Sequence, residues 1–183
     1  MTILGACACC GDILNGRYDR RRFIQMAGGA AAAAAFPFMA FAQSGSGKYE
    51  AMLLSCIDPR TQEPVRVYME TQGLLGKYSQ FTFAGAAIGV VAPKFRAWHQ
   101  AFWDNLGTSF QLHKINRVIV IDHRDCGAAR IAYGDESIAT PEKETATHRK
   151  VFARFRAEMK RRHSKLAVET GLMSLDGKVE ILS

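Results

Sequence analysis

The chain has 183 residues, 48% hydrophobic, 22% charged and 10% aromatic. That apolar content suffices for one core and excludes wholesale disorder, while the length suits one domain rather than two. The net charge of +7 permits attraction of anions but comes with no nucleic-acid-binding motif, so a nucleic-acid partner is not expected.

The first segment reads as a leader. Asp19-Arg20-Arg21-Arg22-Phe23-Ile24-Gln25 is similar to the twin-arginine export signature, with Arg20 and Arg21 as its pair. An alanine- and glycine-rich run from Ala27 to Ala42 follows, too weakly apolar and too interrupted by Pro37 for a permanent span. Ala40-Phe41-Ala42 supplies a small-x-small cleavage site. The expected organisation is therefore a twin-arginine signal peptide over 1–42, a flexible spacer over 43–48 and one domain over 49–183, in a protein exported to the periplasm. Four arginines and two aspartates leave with the leader, which lowers the surplus to +5. Cys7, Cys9 and Cys10 also leave, so Cys56 and Cys126 are the only cysteines of the mature chain.

Along that chain, Tyr49 to Ser55 is an apolar run that stops at Cys56-Ile57-Asp58-Pro59-Arg60 and reads as a buried strand. Glu63 to Gln72 is expected to be helical, with Pro64 in its first turn. Gln80 to Phe83 is a second strand entering the small-residue turn Ala84-Gly85-Ala86-Ala87. Pro93 to Leu112 places Phe95, Trp98, Phe102, Leu106 and Phe110 at helical spacing. Arg117 to Asp122 contains an unbroken β-branched run, the pattern of a parallel strand covered on both faces, and it ends at His123. Thr145 to His163 is a basic helix, and Leu166 to Met173 and Gly177 to Leu182 are closing strands around an Asp176-Gly177 turn. Strands alternating with helices predict an α/β fold with a mostly parallel central sheet flanked by helices.

Two loops carry chemistry, and each follows a strand, where the ligand crevice of an open α/β sheet lies. Cys56 and Asp58 are two residues apart and project to one side of an extended chain; Pro59 turns Arg60 back toward Asp58. His123-Arg124-Asp125-Cys126 precedes Gly127 at a helix start, where the amino terminus favours a Cys126 thiolate. One imidazole and two thiolates make a tetrahedral zinc set with an open fourth position, as in catalytic sites. Two cysteines in an exported protein commonly form a disulfide, but a disulfide gives no reason for Asp58, Arg60 and His123. A surface ion pair is the plain alternative for Asp58 and Arg60.

Cys-x-Asp-x-Arg followed by His-x-x-Cys-Gly resembles the beta-class carbonic anhydrase signature, and the resemblance extends from about Tyr49 through Leu175-Asp176-Gly177-Lys178-Val179. It implies zinc held by Cys56, His123 and Cys126, and reversible hydration of carbon dioxide to bicarbonate by a zinc-bound hydroxide. It further implies that Asp58 and Arg60 govern the reactive water and that the chain forms a homodimer. Ala84 and Gly85 match the end of the family's Arg-Asn-Ala-Gly and are the expected substrate-binding residues. Thr82 and Phe83 stand where that pattern has Arg and Asn, which implies a more apolar pocket and keeps two alternatives open. One is hydrolysis of carbonyl sulfide or carbon disulfide, and the other is a non-catalytic zinc-binding sensor or interaction protein. His99, His113, His148 and His163 are the candidate proton carriers.

Overall fold

The computed structural model describes residues 49–183. The leader, the spacer, and Cys7, Cys9 and Cys10 lie outside the described residues. The architecture is the expected one. Five strands, β1 (Ala51–Ser55), β2 (Tyr78–Thr82), β3 (Arg117–His123), β4 (Ala167–Met173) and β5 (Val179–Ile181), form one sheet in the order β2-β1-β3-β4-β5. The first four are parallel and only β5 runs antiparallel, as the second arm of the hairpin closed at Asp176-Gly177.

Five α-helices flank the sheet: α1 (Gln62–Thr71), α2 (Ala87–Val91), α3 (Arg96–His113), α4 (Gly127–Tyr133) and α5 (Pro141–Arg162). Alternation along the central strands decides which helix each residue meets. Ala51, Leu53, Ile119 and Ile121 face α1, whose Val65 and Met69 close a small core on that side. Met52, Leu54, Val118 and Val120 face the opposite layer of α2, α3 and α5, where Phe102, Trp103, Phe152 and Phe155 build the larger core. Phe155 packs at 5.7 Å from the ring of Phe102 and stacks on Trp103. By the same alternation Cys56 and Asp122 fall on the larger core's side.

Two elements differ from the sequence reading. Helix α2 was not expected, because five buried residues, Ala-Ile-Gly-Val-Val, are too few to display a helical period. Helix α5 starts at Pro141, four residues before Thr145, capped by the Thr140 hydroxyl accepting the Lys143 N–H at 3.3 Å. That extra turn matters, because it carries Glu144 toward the loop after β3. The basic surplus of α5 is partly absorbed at home. Arg156 donates to Thr170 and to the Leu182 carbonyl, Arg149 pairs with Glu180, and Arg161 and Arg162 share Glu158.

Candidate functional site

The carboxyl ends of β1 and β3 are adjacent in the sheet, so the two loops meet although their first candidate ligands, Cys56 and His123, are 67 positions apart. One sulfur from each cysteine and one ring nitrogen of His123 lie within 4.8 Å of one another. All three residues are buried, and both cysteines are free thiols, which removes the disulfide reading. His123 Nδ1 donates to the Arg124 carbonyl at 2.8 Å, leaving Nε2 with its lone pair buried and without a protein partner. Two soft sulfurs and a bare, buried imidazole nitrogen aimed at one point fit a tetrahedral divalent cation of zinc's type.

The sulfurs are electrostatically unequal. The hydrogen bond from Cys126 pulls the Cys56 thiol down, with further help from His123 and from the Gly85 N–H at 3.3 Å. The same contact and burial push Cys126 up. The sequence placed the favoured thiolate on Cys126, at the start of α4. There an N–H at Ala129 pulls the thiol down, as the helix start implies, while the Cys56 contact and desolvation act against it. For His123, burial acts downward, yet the neighbouring Cys56 sulfur raises it overall.

Asp58 and Arg60 form a forked pair beside these ligands. Arg60 Nη2 lies 2.7 Å from Asp58 Oδ2, and its Nε and backbone N–H both reach Oδ1, at 3.0 and 2.9 Å. These bonds hold the Asp58 carboxyl down to about 2. Asp58 Oδ2 stands 3.8 Å from His123 Nε2. Arg60 also donates to the Asp125 carboxylate at 2.9 Å and to its carbonyl at 3.1 Å, and Arg130 braces Asp125 at 2.6 Å.

Two contacts to the β3 tip escaped the sequence reading. Glu144 accepts the Asp125 N–H at 2.5 Å and pairs with Arg124 at 3.3 Å. Asp122, fully buried, accepts the Ala87 N–H at 3.0 Å and the ring Nδ1 of His148 at 2.8 Å. A lone carboxylate ending a β-branched run was the available signal. Buried charge at such a position requires a partner.

The turn Ala84-Gly85-Ala86 lies against Cys56. Gly85 has φ +76°, and a Cβ there would sit 2.6 Å from the Ala128 Cβ, so only glycine fits. Ala86 is held at φ 45° and ψ −111°, a region that costs a side-chain-bearing residue of order 1–3 kcal/mol. Thr82 is exposed, whereas Phe83 turns its ring onto Phe81 and Trp98, at 5.4 and 5.5 Å.

The other histidines are committed elsewhere. His113 bonds Ser79 at the amino-terminal edge of the sheet, His163 ends α5 against Trp103, His99 bonds the Ala92 carbonyl, and His148 is wholly buried on Asp122. A cleft of about 810 Å³ lined by Tyr133, Lys143, Thr147, Val151 and Arg154 contains none of the ligands.

Sequence comparison settles the family. Residues 46–156 match the family described as "Putative carbonic anhydrase". The chain belongs to this carbonic anhydrase family. An uncharacterized protein of Rickettsia conorii is 34% identical over 129 residues, spanning 70% of this family member and 69% of the relative. One from Rickettsia bellii is 33% identical over 129 residues, spanning 70% and 79%. Among solved structures, a tetrameric β-carbonic anhydrase of Sordaria macrospora superposes with a TM-score of 0.53 at 13% identity, covering 89% of this chain and 96% of that one. The β-carbonic anhydrase CafA of Aspergillus fumigatus gives 0.50 at 15% identity, covering 74% and 76%. At such identities the likeness concerns the fold.

Proposed function

We propose that this carbonic anhydrase family member is a zinc enzyme that interconverts carbon dioxide and bicarbonate. The observation that carries the reading is the convergence of Cys56, His123 and Cys126 beside the Asp58–Arg60 fork. Cys56 Sγ, Cys126 Sγ and His123 Nε2 would hold the ion. When bound, zinc lowers the pKa of a coordinated water from 15.7 to about 7 and so supplies a nucleophile near neutrality.

The rest is the work of the chain. Asp58, kept ionised and turned aside by Arg60, accepts the hydrogen bond of the attacking water and aims its lone pair at the substrate carbon. The small residues Ala84 and Gly85 let backbone border a triatomic substrate, which needs no large cavity. Water adds to carbon dioxide to give bicarbonate and one proton. With the remaining histidines engaged elsewhere, that proton passes to solvent buffer.

The Phe81–Phe83–Trp98 cluster at the end of β2 favours one second reading, hydrolysis of the less polar carbonyl sulfide or carbon disulfide. Stopped-flow assays with each gas separate the two, and no turnover by zinc-loaded protein would leave a non-catalytic zinc module. Among the described residues no helix is long and apolar enough to cross a membrane. The twin-arginine pair Arg20–Arg21 supports action in the periplasm, reached already folded and metal-loaded. The relation to the tetrameric Sordaria macrospora enzyme supports self-association, with a homodimer as the smallest unit.

A further inference from the structure

We infer that Asp122 and His148 are positioning residues of the metal centre, acting as a clamp that holds the Gly85–Ala87 turn against Cys56. The inference rests on the ligand set proposed above but concerns a different layer of the protein.

Three observations carry it. Gly85 and Ala87 present their N–H groups to two different anchors, Cys56 Sγ at 3.3 Å and Asp122 Oδ1 at 3.0 Å. Between them, Ala86 sits at φ 45° and ψ −111°, a conformation that persists only when its surroundings impose it. The Asp122 anchor is in turn fixed from α5, because His148 Nδ1 meets Oδ2 at 2.8 Å while both side chains are essentially inaccessible to water. His148 Nε2 is buried without a partner, so the ring's one polar contact is with Asp122.

The chain of causes is short. Asp122 immediately precedes His123 on β3, and its carboxylate is taken up by the Ala87 N–H and His148 Nδ1 rather than by a proposed ligand. Its carboxylate ties the β3 tip, the first turn of α2 and the middle of α5 together. With that tie cut, the strained turn is free to relax, and the Gly85 N–H moves off the Cys56 sulfur. The sulfur then loses a hydrogen bond that stabilises its anionic, metal-binding form. Partners of this outer kind are known to alter metal affinity when removed.

The test uses the full chain, with zinc affinity measured by competition against a chromophoric chelator and the ligand-field bands of the cobalt(II)-substituted protein as a second readout. Asp122→Ala, with circular dichroism and melting curve intact, is expected to weaken zinc binding by roughly 10- to 100-fold and to shift the cobalt bands. Asp122→Asn, which retains an oxygen for the Ala87 N–H, is expected to restore both. If Asp122→Ala does not fold, His148→Leu reads the same quantity and is expected to change it in the same direction. Unchanged affinity and an unchanged cobalt spectrum in either folded variant overturn the proposal, as does an Asp122→Asn variant as impaired as Asp122→Ala. Wild-type protein that binds both metals but hydrates no carbon dioxide removes the proposed function and leaves the clamp standing on these two readouts.

Discussion

At the scale of single residues, the role proposed for the Asp58–Arg60 fork separates holding a metal from using it. Arg60 touches none of the three proposed ligands, so Arg60→Ala is expected to keep one zinc per chain by metal analysis while turnover falls roughly 10- to 100-fold. The same variant has an acid-range signature. Asp58 titrates at about 2 in the folded chain, chiefly because of the Arg60 hydrogen bonds, against about 3.9 for an unfolded aspartate. A carboxylate depressed in this way stabilises the fold above the unfolded value, and its contribution disappears as pH falls through the folded one. The urea midpoint of wild type should therefore exceed that of Arg60→Ala above about pH 4 and the two should converge toward about 2; a constant gap would contradict the assignment. His99 and His113 make their contacts away from the ligands, so His99→Ala and His113→Ala should leave turnover near wild type while the rate rises with buffer concentration.

At the scale of elements, the strands carry the site to its place and the turns shape it. Much of this was legible in the sequence. The unbroken run Val118-Ile119-Val120-Ile121 admits only a strand covered on both faces, and Pro59 marks where β1 must yield to a loop. The ligand spacing was legible for the same reason, since strand ends fix where the next residues point. What escaped was contact made across the fold. Nothing in the local pattern of α5 says that Glu144 and His148 face the β3 tip, and a five-residue helix such as α2 has no period to read. The Ala84-Gly85-Ala86 turn shows how tight this region is. Gly85→Ala adds a methyl group at φ +76° within 2.6 Å of another Cβ. It is expected to destabilise the chain by about 1–3 kcal/mol in urea unfolding. Phe155→Ala, which empties the centre of the larger core, should cost about 3–5 kcal/mol by the same measurement.

At the scale of the whole molecule, one covered sheet delivers two separate loops to one end, and that placement gathers three residues that could hold a metal from positions far apart in sequence. Sheet order explains why β1 and β3 supply the ligands: they are central neighbours, and their tips are flanked by α2 and α4 rather than by open edge. The central claim is that these three residues hold zinc for the hydration of carbon dioxide. The most direct test is stopped-flow, pH-indicator measurement of that hydration by the zinc-loaded chain alongside Cys126→Ser. The account predicts acceleration over buffer that vanishes with the zinc in the variant. A wild-type chain carrying a full equivalent of zinc and giving no acceleration would contradict it.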